Sequence, residues 1–191
     1  MVYIFLADGF EELEAVAPLD IMRRAKIEVR TVGVTGEYVV SLSGLTVKAD
    51  CALEDVDLEQ CEMLVLPGGR IGTKNMRESS QLTELVKQAD ARGIMLAGIC
   101  AAPTVFAELG LLKGRRAVCF PMFEFENVLE ENGARIQRDE SVTHDGHIIT
   151  AKAAGSSIDF GLLLVSMLRG WPASEAVRKI LYFNPRQNAL T

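Results

Sequence analysis

The chain has 191 residues, of which 49% are hydrophobic and 24% are charged, and its formal net charge is −6. Chains of this length and composition usually fold around one core, so we predict a single domain over residues 1–191 with a loose end at 184–191. An acidic chain without a run of Lys or Arg lacks the positive field that nucleic acid or an anionic membrane surface requires. We therefore expect no nucleic acid and no membrane among its partners.

The amino-terminal segment and the cysteines indicate a cytoplasmic protein. Residues 1–7 are apolar but have no basic lead, and Asp8 interrupts them before a signal-peptide core is reached. The longest uncharged run, residues 93–107, is shorter than the roughly 20 residues that span a bilayer. The four cysteines show no C-x-x-C spacing, which argues against a zinc knuckle or a disulfide framework.

Strand and helix patterns alternate along the whole chain. Strands are predicted at residues 2–7, 27–34, 63–66, 94–99, 116–120 and 147–151, and a hairpin at 38–40 and 45–47. Helices are predicted at residues 11–25, from Ser79 or Ser80 to about 92, at 101–109 and at 156–168. This alternation predicts an α/β domain with a mostly parallel sheet covered on both faces.

Cys100 stands where a predicted buried strand meets a helix. A nucleophile on such a sharp turn requires small residues two places before and two places after it, and Gly98 and Ala102 meet that requirement. The thiol would project from the carboxyl edge of the sheet at a helix N-terminus, which favours the thiolate. The alternative is a small buried core cysteine.

Two further segments are candidates for the same edge of the sheet. Gly68 and Gly69 follow a parallel strand, so their backbone amides either stabilise an oxyanion beside Cys100 or form a tight turn. Glu11 and Glu12 suit the first turn of a helix without further function. Glu14 can turn inward under the sheet edge, although its spacing alone does not settle this.

Five motifs resemble the ThiJ/PfpI superfamily, and more narrowly its branch of Parkinson-disease-associated redox and deglycase proteins with their bacterial relatives. They are ADGFEELE at 7–14, PLDIMRRA at 18–25, VLPGG at 65–69, AGICAAPT at 97–104, and the segment at 149–160. The resemblance implies a flavodoxin-like three-layer sandwich and a homodimer. It also implies a reactive Cys100 bonded to a protonated Glu14, with the amides of Gly69 and Ala101 lining an oxyanion pocket.

The sequence departs from the family pattern at Ala101 and at Phe120, and these departures limit which family activities can be expected of this chain. Ala101 follows the cysteine where the protease-like branch has a histidine, so a peptidase is not expected. Phe120 stands where the redox branch has a histidine, beside Cys119, and both are candidates for the pocket together with Gly68. If its strand ends near the elbow, Cys119 can resolve an oxidised Cys100.

The remaining candidates have simpler explanations. His144 and His147 lie in a predicted turn between two short strands, and we expect an exposed hairpin there rather than a metal or catalytic site. Cys51 and Cys61 are expected to be structural or partly exposed thiols. We expect neither a metal nor a cofactor.

Two functions fit the resemblance. In the first, a Cys100 thiolate attacks a small aldehyde or a glycated substrate and Glu14 moves the proton, which is glyoxalase or deglycase chemistry without glutathione. In the second, the protein is a non-enzymatic oxidative-stress sensor or redox chaperone in which Cys100 is oxidised to the sulfinate. Phe120 stands in place of a histidine, which argues against the glyoxalase or deglycase function, but the sequence leaves both functions open.

Overall fold

A computed structural model describes residues 1–184 of the chain. The strands are β1 (Val2–Leu6), β2 (Val29–Gly33), β3 (Tyr38–Val40), β4 (Thr46–Lys48), β5 (Cys51–Ala52), β6 (Met63–Leu66), β7 (Met95–Ile99), β8 (Arg116–Ala117), β9 (Arg135–Ile136), β10 (Val142–Asp145) and β11 (Ile148–Ala151). The helices are α1 (Glu12–Arg24), α2 (Arg70–Glu78), α3 (Ser80–Ala91), α4 (Pro103–Glu108), α5 (Phe123–Glu131), α6 (Ser157–Arg169) and α7 (Trp171–Ile180).

A seven-stranded sheet forms the middle layer, with the strand order β10-β11-β7-β6-β1-β2-β5. All of its neighbouring strands are parallel except β10 and β11, which form an antiparallel edge. This confirms the predicted α/β class with a mostly parallel sheet. The chain passes from β1 to β2 on one side and then crosses to β6 on the other, so a crevice opens at the carboxyl ends of β1 and β6.

Two hydrophobic layers cover the faces of this sheet. Because side chains alternate along a strand, Val2, Ile4 and Leu6 of β1 join the layer formed with α1, α6 and α7. Tyr3 and Phe5 join the other layer, formed with α2, α3, α4 and α5. β1 is buried over its whole length, which explains why its sequence is a continuous apolar run.

Close contact between α1 and α6 fixes the position of α1 over the sheet. A Cβ atom added at Gly161 in α6 would lie 2.8 Å from Ile21 Cδ1 and 3.1 Å from Pro18 Cα. Only glycine therefore lets the two helices approach this closely. The first turn of α1 is held by the side chain of Glu11, which accepts a hydrogen bond from the backbone N–H of Glu14 at 2.8 Å.

Most of the predicted elements are confirmed to within two or three residues at each end. Ser79 caps α3, as predicted, by accepting a hydrogen bond from the backbone N–H of Leu82 at 3.3 Å. The hairpin of β3 and β4 is also confirmed. Three helices were not predicted: α2, α5 and α7.

The predicted strand at 116–120 is wrong beyond its first two residues. Only Arg116 and Ala117 form a strand, and they pair with β9 in a separate two-stranded sheet. The next residues bond to other segments: the N–H of Val118 donates to Thr150 Oγ1 at 2.9 Å, and the N–H of Phe120 donates to the carbonyl of Cys100 at 2.8 Å. These bonds carry the chain across the carboxyl edge of the main sheet.

Within residues 1–184, no helix combines the length and the apolar character needed to cross a membrane. The loose end predicted at 184–191 lies outside the described residues, apart from Asn184.

Candidate active site

Cys100 occupies a strained turn between β7 and α4. Its φ angle is 65°, in the left-handed region that residues other than glycine rarely adopt and that costs roughly 1–3 kcal/mol. Backbone bonds on both sides hold it there: the N–H of Cys100 donates to Ala151 at 2.9 Å, and its carbonyl accepts from Phe120. The sharp strand-to-helix turn predicted for this cysteine is therefore present.

Small neighbours make this turn possible. A Cβ atom at Gly98 would lie 2.8 Å from Cε2 of the buried Phe106 ring and 3.4 Å from the backbone nitrogen of Pro103. Ala102 is fully buried, so a larger side chain there has no room. The requirement for small residues at these two positions thus has a direct steric cause.

Glu14 is buried beneath Cys100, with only 1% of its surface exposed. The backbone N–H of Gly68 donates to its Oε2 at 2.9 Å, and further hydrogen bonds join its carboxyl to the Cys100 thiol and to the amide of Ala154. Gly68 must be a glycine, because a Cβ there would lie 2.5 Å from Glu14 Oε2 and 2.6 Å from Cys100 Cβ. Gly68 therefore contacts the pair directly.

The sulfur of Cys100 receives hydrogen bonds from the backbone amides of Gly69 and Ala101. Gly69 has a φ of 91°, and a Cβ atom there would lie 2.2 Å from the carbonyl oxygen of Gly9. The structure thus brings together the four residues that the resemblance implied for this site: Cys100, Glu14, Gly69 and Ala101.

The acid–base properties of the pair follow from its burial. Burial, with a smaller contribution from the charge of Glu11, raises the pKa of the Glu14 carboxyl from 4.5 to about 7. Burial and then the charge of Glu14 raise the pKa of the Cys100 thiol from 9.0 to about 12, against the amides of Gly69 and Ala101, which lower it. The direction for the thiol is opposite to that expected from the helix N-terminus alone.

The two groups titrate as a pair that carries at most one negative charge near neutral pH. The thiolate is opposed chiefly by burial and by the Glu14 carboxylate, so it forms more readily when Glu14 holds the proton. Transfer of the thiol proton to Glu14 leaves the net charge of the pair unchanged. Because the Glu14 pKa is about 7, the carboxylate that accepts this proton is available at neutral pH.

A cavity of about 310 Å³ opens above the pair. Phe120 lines it, as expected. The lining residues that the sequence did not indicate for a pocket are Glu11, Leu42, Arg70, Met122, Phe125, Ala153, Ala154 and Gly155. The motifs contain no signal for Leu42, Met122 and Phe125, because the hairpin loop and the start of α5 reach the cavity only through the tertiary fold. Gly68 acts through Glu14 and does not line the cavity.

The expectation that Cys119 lies in this pocket is wrong. Cys119 is 3% exposed and packs in the hydrophobic layer on the side of α2 to α5, with Leu129 of α5. Because neighbouring side chains of an extended segment point in opposite directions, Phe120 faces the cavity and Cys119 faces the core. Cys119 faces away from the cavity, and burial raises the pKa of its thiol to about 12, so it is poorly placed to resolve an oxidised Cys100.

The other candidates lie apart from the cavity. His144 is exposed, and His147 is half-buried with its Nε2 2.8 Å from Asp90 Oδ1. Cys61 is buried and Cys51 is half-buried at the far edge of the sheet. Among residues 1–184, no group of His, Cys, Asp and Glu side chains is arranged to hold a metal ion.

One carboxylate positions the loop that carries Leu42. The hydroxyls of Ser41 and Ser43 and the N–H of Ser43 all donate to Glu12 Oε1. These bonds lower the pKa of Glu12 to about 2, so the carboxylate stays charged at neutral pH. The N–H of Leu42 also donates to the carbonyl of Phe10 at 2.8 Å. The loop is thereby fixed to the start of α1, beside the cavity.

Comparison with known proteins places this geometry in a family. The model of the DJ-1/PfpI family matches residues 1–167. Protein dj-1beta of Drosophila melanogaster is 33% identical over 177 residues, covering 92% of this chain and 93% of the relative. Its crystal structure superposes with a TM-score of 0.90 at 32% identity, over 96% of this chain and 97% of that one.

Two further similarities bear on chemistry. A protein of Caenorhabditis elegans named glutathione-independent glyoxalase DJR-1.2 is 29% identical over 171 residues, 90% of this chain and 89% of the relative. The structure titled Toxoplasma gondii DJ-1, oxidized, superposes with a TM-score of 0.87 at 31% identity, over 95% of this chain and 97% of that one. The match to these structures confirms the flavodoxin-like sandwich.

The raised pKa of Glu14 makes stability depend on pH. The unfolded carboxyl ionises near 4.5 and the folded one near 7, so the folded state holds the extra proton between these values. The stabilising contribution of the Glu14 proton is therefore fully present below pH 4.5 and is lost as the pH rises to 7, which lowers the unfolding free energy by about 3 kcal/mol above that pH. Glu14→Gln removes this titration, and we expect the variant to be the more stable protein at pH 8.

Denaturant titrations at pH 4.5, 6 and 8 measure this effect as the difference in unfolding free energy between wild type and variant. Glu54→Gln, which changes an exposed carboxyl, is the matched control and should follow the wild type. A wild-type and a Glu14→Gln curve that stay parallel across this range would contradict the raised pKa.

Proposed function

Because the chain belongs to the DJ-1/PfpI family, we propose that Cys100 and Glu14 form the catalytic centre of an enzyme for small reactive carbonyl compounds, of glyoxalase or deglycase type. The observation that supports this most directly is the hydrogen bond between a thiol and a buried carboxyl whose pKa is raised to about 7. Such a carboxyl can both accept and return a proton at neutral pH. The glyoxalase named among the relatives supports the same chemistry.

The reaction begins with proton transfer from Cys100 to Glu14. The thiolate then attacks the aldehyde carbon, and the amides of Gly69 and Ala101 stabilise the negative charge in the pocket. Glu14 returns the thiol proton to the oxygen of the hemithioacetal. It then removes the proton from the former aldehyde carbon and delivers it to the neighbouring ketone carbon. Water releases the hydroxy acid from the resulting thioester. With methylglyoxal the product is lactate, and a glycated amine or thiol would be hydrolysed instead.

Glu14 performs this work without help from an imidazole. Phe120 occupies the position next to the Cys100 carbonyl, and both histidines of the described chain lie away from the cavity. Glu14 is the titratable side chain hydrogen-bonded to the Cys100 thiol. Ala101 follows the cysteine, so a peptidase that relies on a histidine at that position is not supported.

Turnover of methylglyoxal tests this proposal. Formation of lactate, followed by NMR, should fall to background in Cys100→Ser and by about 100-fold or more in Glu14→Gln, which retains the shape of the carboxyl but cannot accept a proton. Cys51→Ser is the control for a general loss of thiol. Lactate formation that survives in Cys100→Ser would refute the enzymatic proposal.

A second function is supported by the donors around the sulfur. Glu14, Gly69 and Ala101 all hydrogen-bond to Cys100, which suits a sulfinate with two oxygens to stabilise. The similarity to a structure titled as oxidized is consistent with this. We therefore propose an oxidative-stress sensor or redox chaperone as the alternative role of the same site. Cys61 and Cys119 are buried and offer peroxide less access.

Graded peroxide distinguishes this role. Intact-mass and peptide mapping should show a two-oxygen adduct on Cys100 at peroxide levels that leave the other three thiols unmodified. Cys51 is the informative internal comparison, because it too is half-buried but lacks the three donors. Oxidation of Cys51 before Cys100 would rule out a selective sensor at this site.

We also propose that the protein acts as a cytoplasmic homodimer. All four cysteines are free, as a reducing compartment would keep them. Four apolar side chains on α1 and on strand β3 of the neighbouring hairpin are 43% to 61% exposed: Leu13, Val16, Tyr38 and Val40. The hairpin is joined to the start of α1 by the bond from the N–H of Gly9 to Val40, so these side chains form one surface that suits a second copy.

Light scattering tests the dimer. Wild type should have the mass of two chains, and Val16→Asp, which puts a charge in the centre of this surface, should shift the protein to one chain. Phe123→Asp is the control, since Phe123 is 82% exposed on α5 in the opposite helical layer. A monomeric wild type, or a dimer that Val16→Asp leaves intact, would contradict this interface.

A further inference from the structure

The cavity above Cys100 has two chemically different sides. On one side lie the thiol, the Glu14 carboxyl and the amides of Gly69 and Ala101, which are suited to a carbonyl group. The other side is an apolar wall formed by Leu42, Phe120, Met122 and Phe125. A ligand in this cavity therefore places its reactive carbonyl on the first side and meets hydrocarbon on the second.

The apolar wall is fixed relative to the sulfur. The rings of Phe120 and Phe125 meet edge to face, with centroids 6.1 Å apart and an interplanar angle of 88°. The N–H of Phe120 donates to the Cys100 carbonyl at 2.8 Å, and the N–H of Met122 donates to Phe120 at 2.8 Å. The wall thus begins at the backbone of Cys100 and is connected to it by these hydrogen bonds.

The other end of the wall is equally constrained. Leu42 is 55% exposed, although two sets of bonds hold its loop: its own N–H donates to Phe10, and Ser41 and Ser43 donate to Glu12. Met122 is 42% exposed at the start of α5. Leu42 and Met122 thus remain exposed on a rigid frame, which leaves apolar surface available to a ligand.

The charged groups at the rim disfavour an anionic substituent. Arg70 lies 2.5 Å from Glu124, and its guanidinium lies 5.8 Å from the centre of the Phe125 ring. The Glu11 carboxylate accepts from the N–H of Glu14 at 2.8 Å and would repel a second carboxylate. A ligand with a negative charge would compete with Glu124 for the Arg70 guanidinium and would approach the Glu11 carboxylate at the same time.

We propose that the preferred substrates are α-oxoaldehydes whose substituent is apolar, and most favourably aromatic, held against the wall of Leu42, Phe120, Met122 and Phe125. This inference rests on the proposed glyoxalase-type function and specifies its substrate class. An aromatic substituent can contact the rings of Phe120 and Phe125 and the thioether of Met122, whereas a methyl group is too small to contact all three. The site then favours an arylglyoxal over methylglyoxal.

The chemistry is balanced for such a substrate. Cys100 Sγ bonds to the aldehyde carbon, and the proton on that carbon passes through Glu14 to the neighbouring ketone carbon. The aldehyde carbon is oxidised to a thioester while the ketone carbon is reduced to an alcohol, so no external oxidant or reductant is needed. Water cleaves the carbon–sulfur bond, which restores the thiol and releases the 2-hydroxy acid; phenylglyoxal yields mandelate.

A substrate series tests the inference. Methylglyoxal, isobutylglyoxal and phenylglyoxal are compared by NMR of their 2-hydroxy acid products, with rates expressed per concentration of unhydrated aldehyde. Product detection and a Cys100→Ser blank exclude reaction of phenylglyoxal with arginine side chains. We expect kcat/KM for phenylglyoxal to exceed that for methylglyoxal by about tenfold or more, with isobutylglyoxal between them.

Variants of the wall provide the residue-level test. Leu42→Ser and Met122→Ser remove exposed apolar side chains without opening the core, and each should lower the ratio of phenylglyoxal to methylglyoxal kcat/KM by about fourfold or more, the factor for one buried methylene. Phe123→Ser is the matched control, because Phe123 adjoins Met122 but is 82% exposed and does not line the cavity. It should leave the ratio unchanged.

The possible failures are distinguishable. Cysteine-dependent turnover of methylglyoxal with a ratio at or below one would overturn the substrate class and leave the proposed function standing. A phenylglyoxal-to-methylglyoxal ratio of kcat/KM that falls equally in Phe123→Ser and Met122→Ser would also overturn it, because the wall residues would then not determine the preference. Absence of cysteine-dependent product from all three aldehydes would overturn the proposed function and the inference together.

Discussion

The hydrogen bond between Glu14 and Cys100 connects α1 to the turn after β7, and it depends on several features of the surrounding structure. Glu14 comes from the first turn of α1, whereas Cys100 comes from the turn after β7, and the two meet only because β1 and β7 lie on either side of β6. Gly68, which follows β6, lies beside both residues, and because it has no side chain only its backbone occupies the space next to them. Any side chain at that position would push the carboxyl away from the thiol.

Burial raises the pKa values of this pair and also reduces stability. A carboxyl with 1% exposure is unfavourable when ionised, and the cysteine backbone adopts a φ of 65° that few residues accept. The surrounding sheet compensates, since β1, β6 and β7 contribute fully buried apolar side chains on both faces. A stable core thus supports a locally unfavourable site, as is common where function requires a perturbed pKa.

The sequence predicted those features that depend on local sterics or on periodicity. The Gly98 and Ala102 spacing indicated the turn at Cys100, and Ser79 indicated the start of α3, because both follow from the immediate neighbours of a residue. The inward direction of Glu14 did not follow from its spacing and came from the family resemblance. Its partners Gly68 and Cys100 are 54 and 86 positions away in the chain, so only the tertiary fold defines their contact.

The errors have the same physical origin. Residues 116–120 have strand-like composition, but their backbone groups bond to Thr150 and Cys100 rather than to a sheet neighbour, which tertiary structure alone decides. The orientation of Cys119 depended on that error. The thiol pKa was misjudged because a helix N-terminus is visible in sequence, whereas burial and the nearby charge of Glu14 are not.

Phe120 has two effects on the cavity: it stands where an imidazole would otherwise lie, and it forms part of the apolar wall. In the proposed reaction, Phe120 leaves no imidazole beside the thiol, so the proton transfers are assigned to Glu14. The Phe120 ring also packs against that of Phe125. A single acid–base group suffices when the same proton can be moved between adjacent carbons of a substrate held in one orientation. Under the proposed function the apolar wall provides that orientation, so a site with Phe120 in place of an imidazole remains compatible with the reaction.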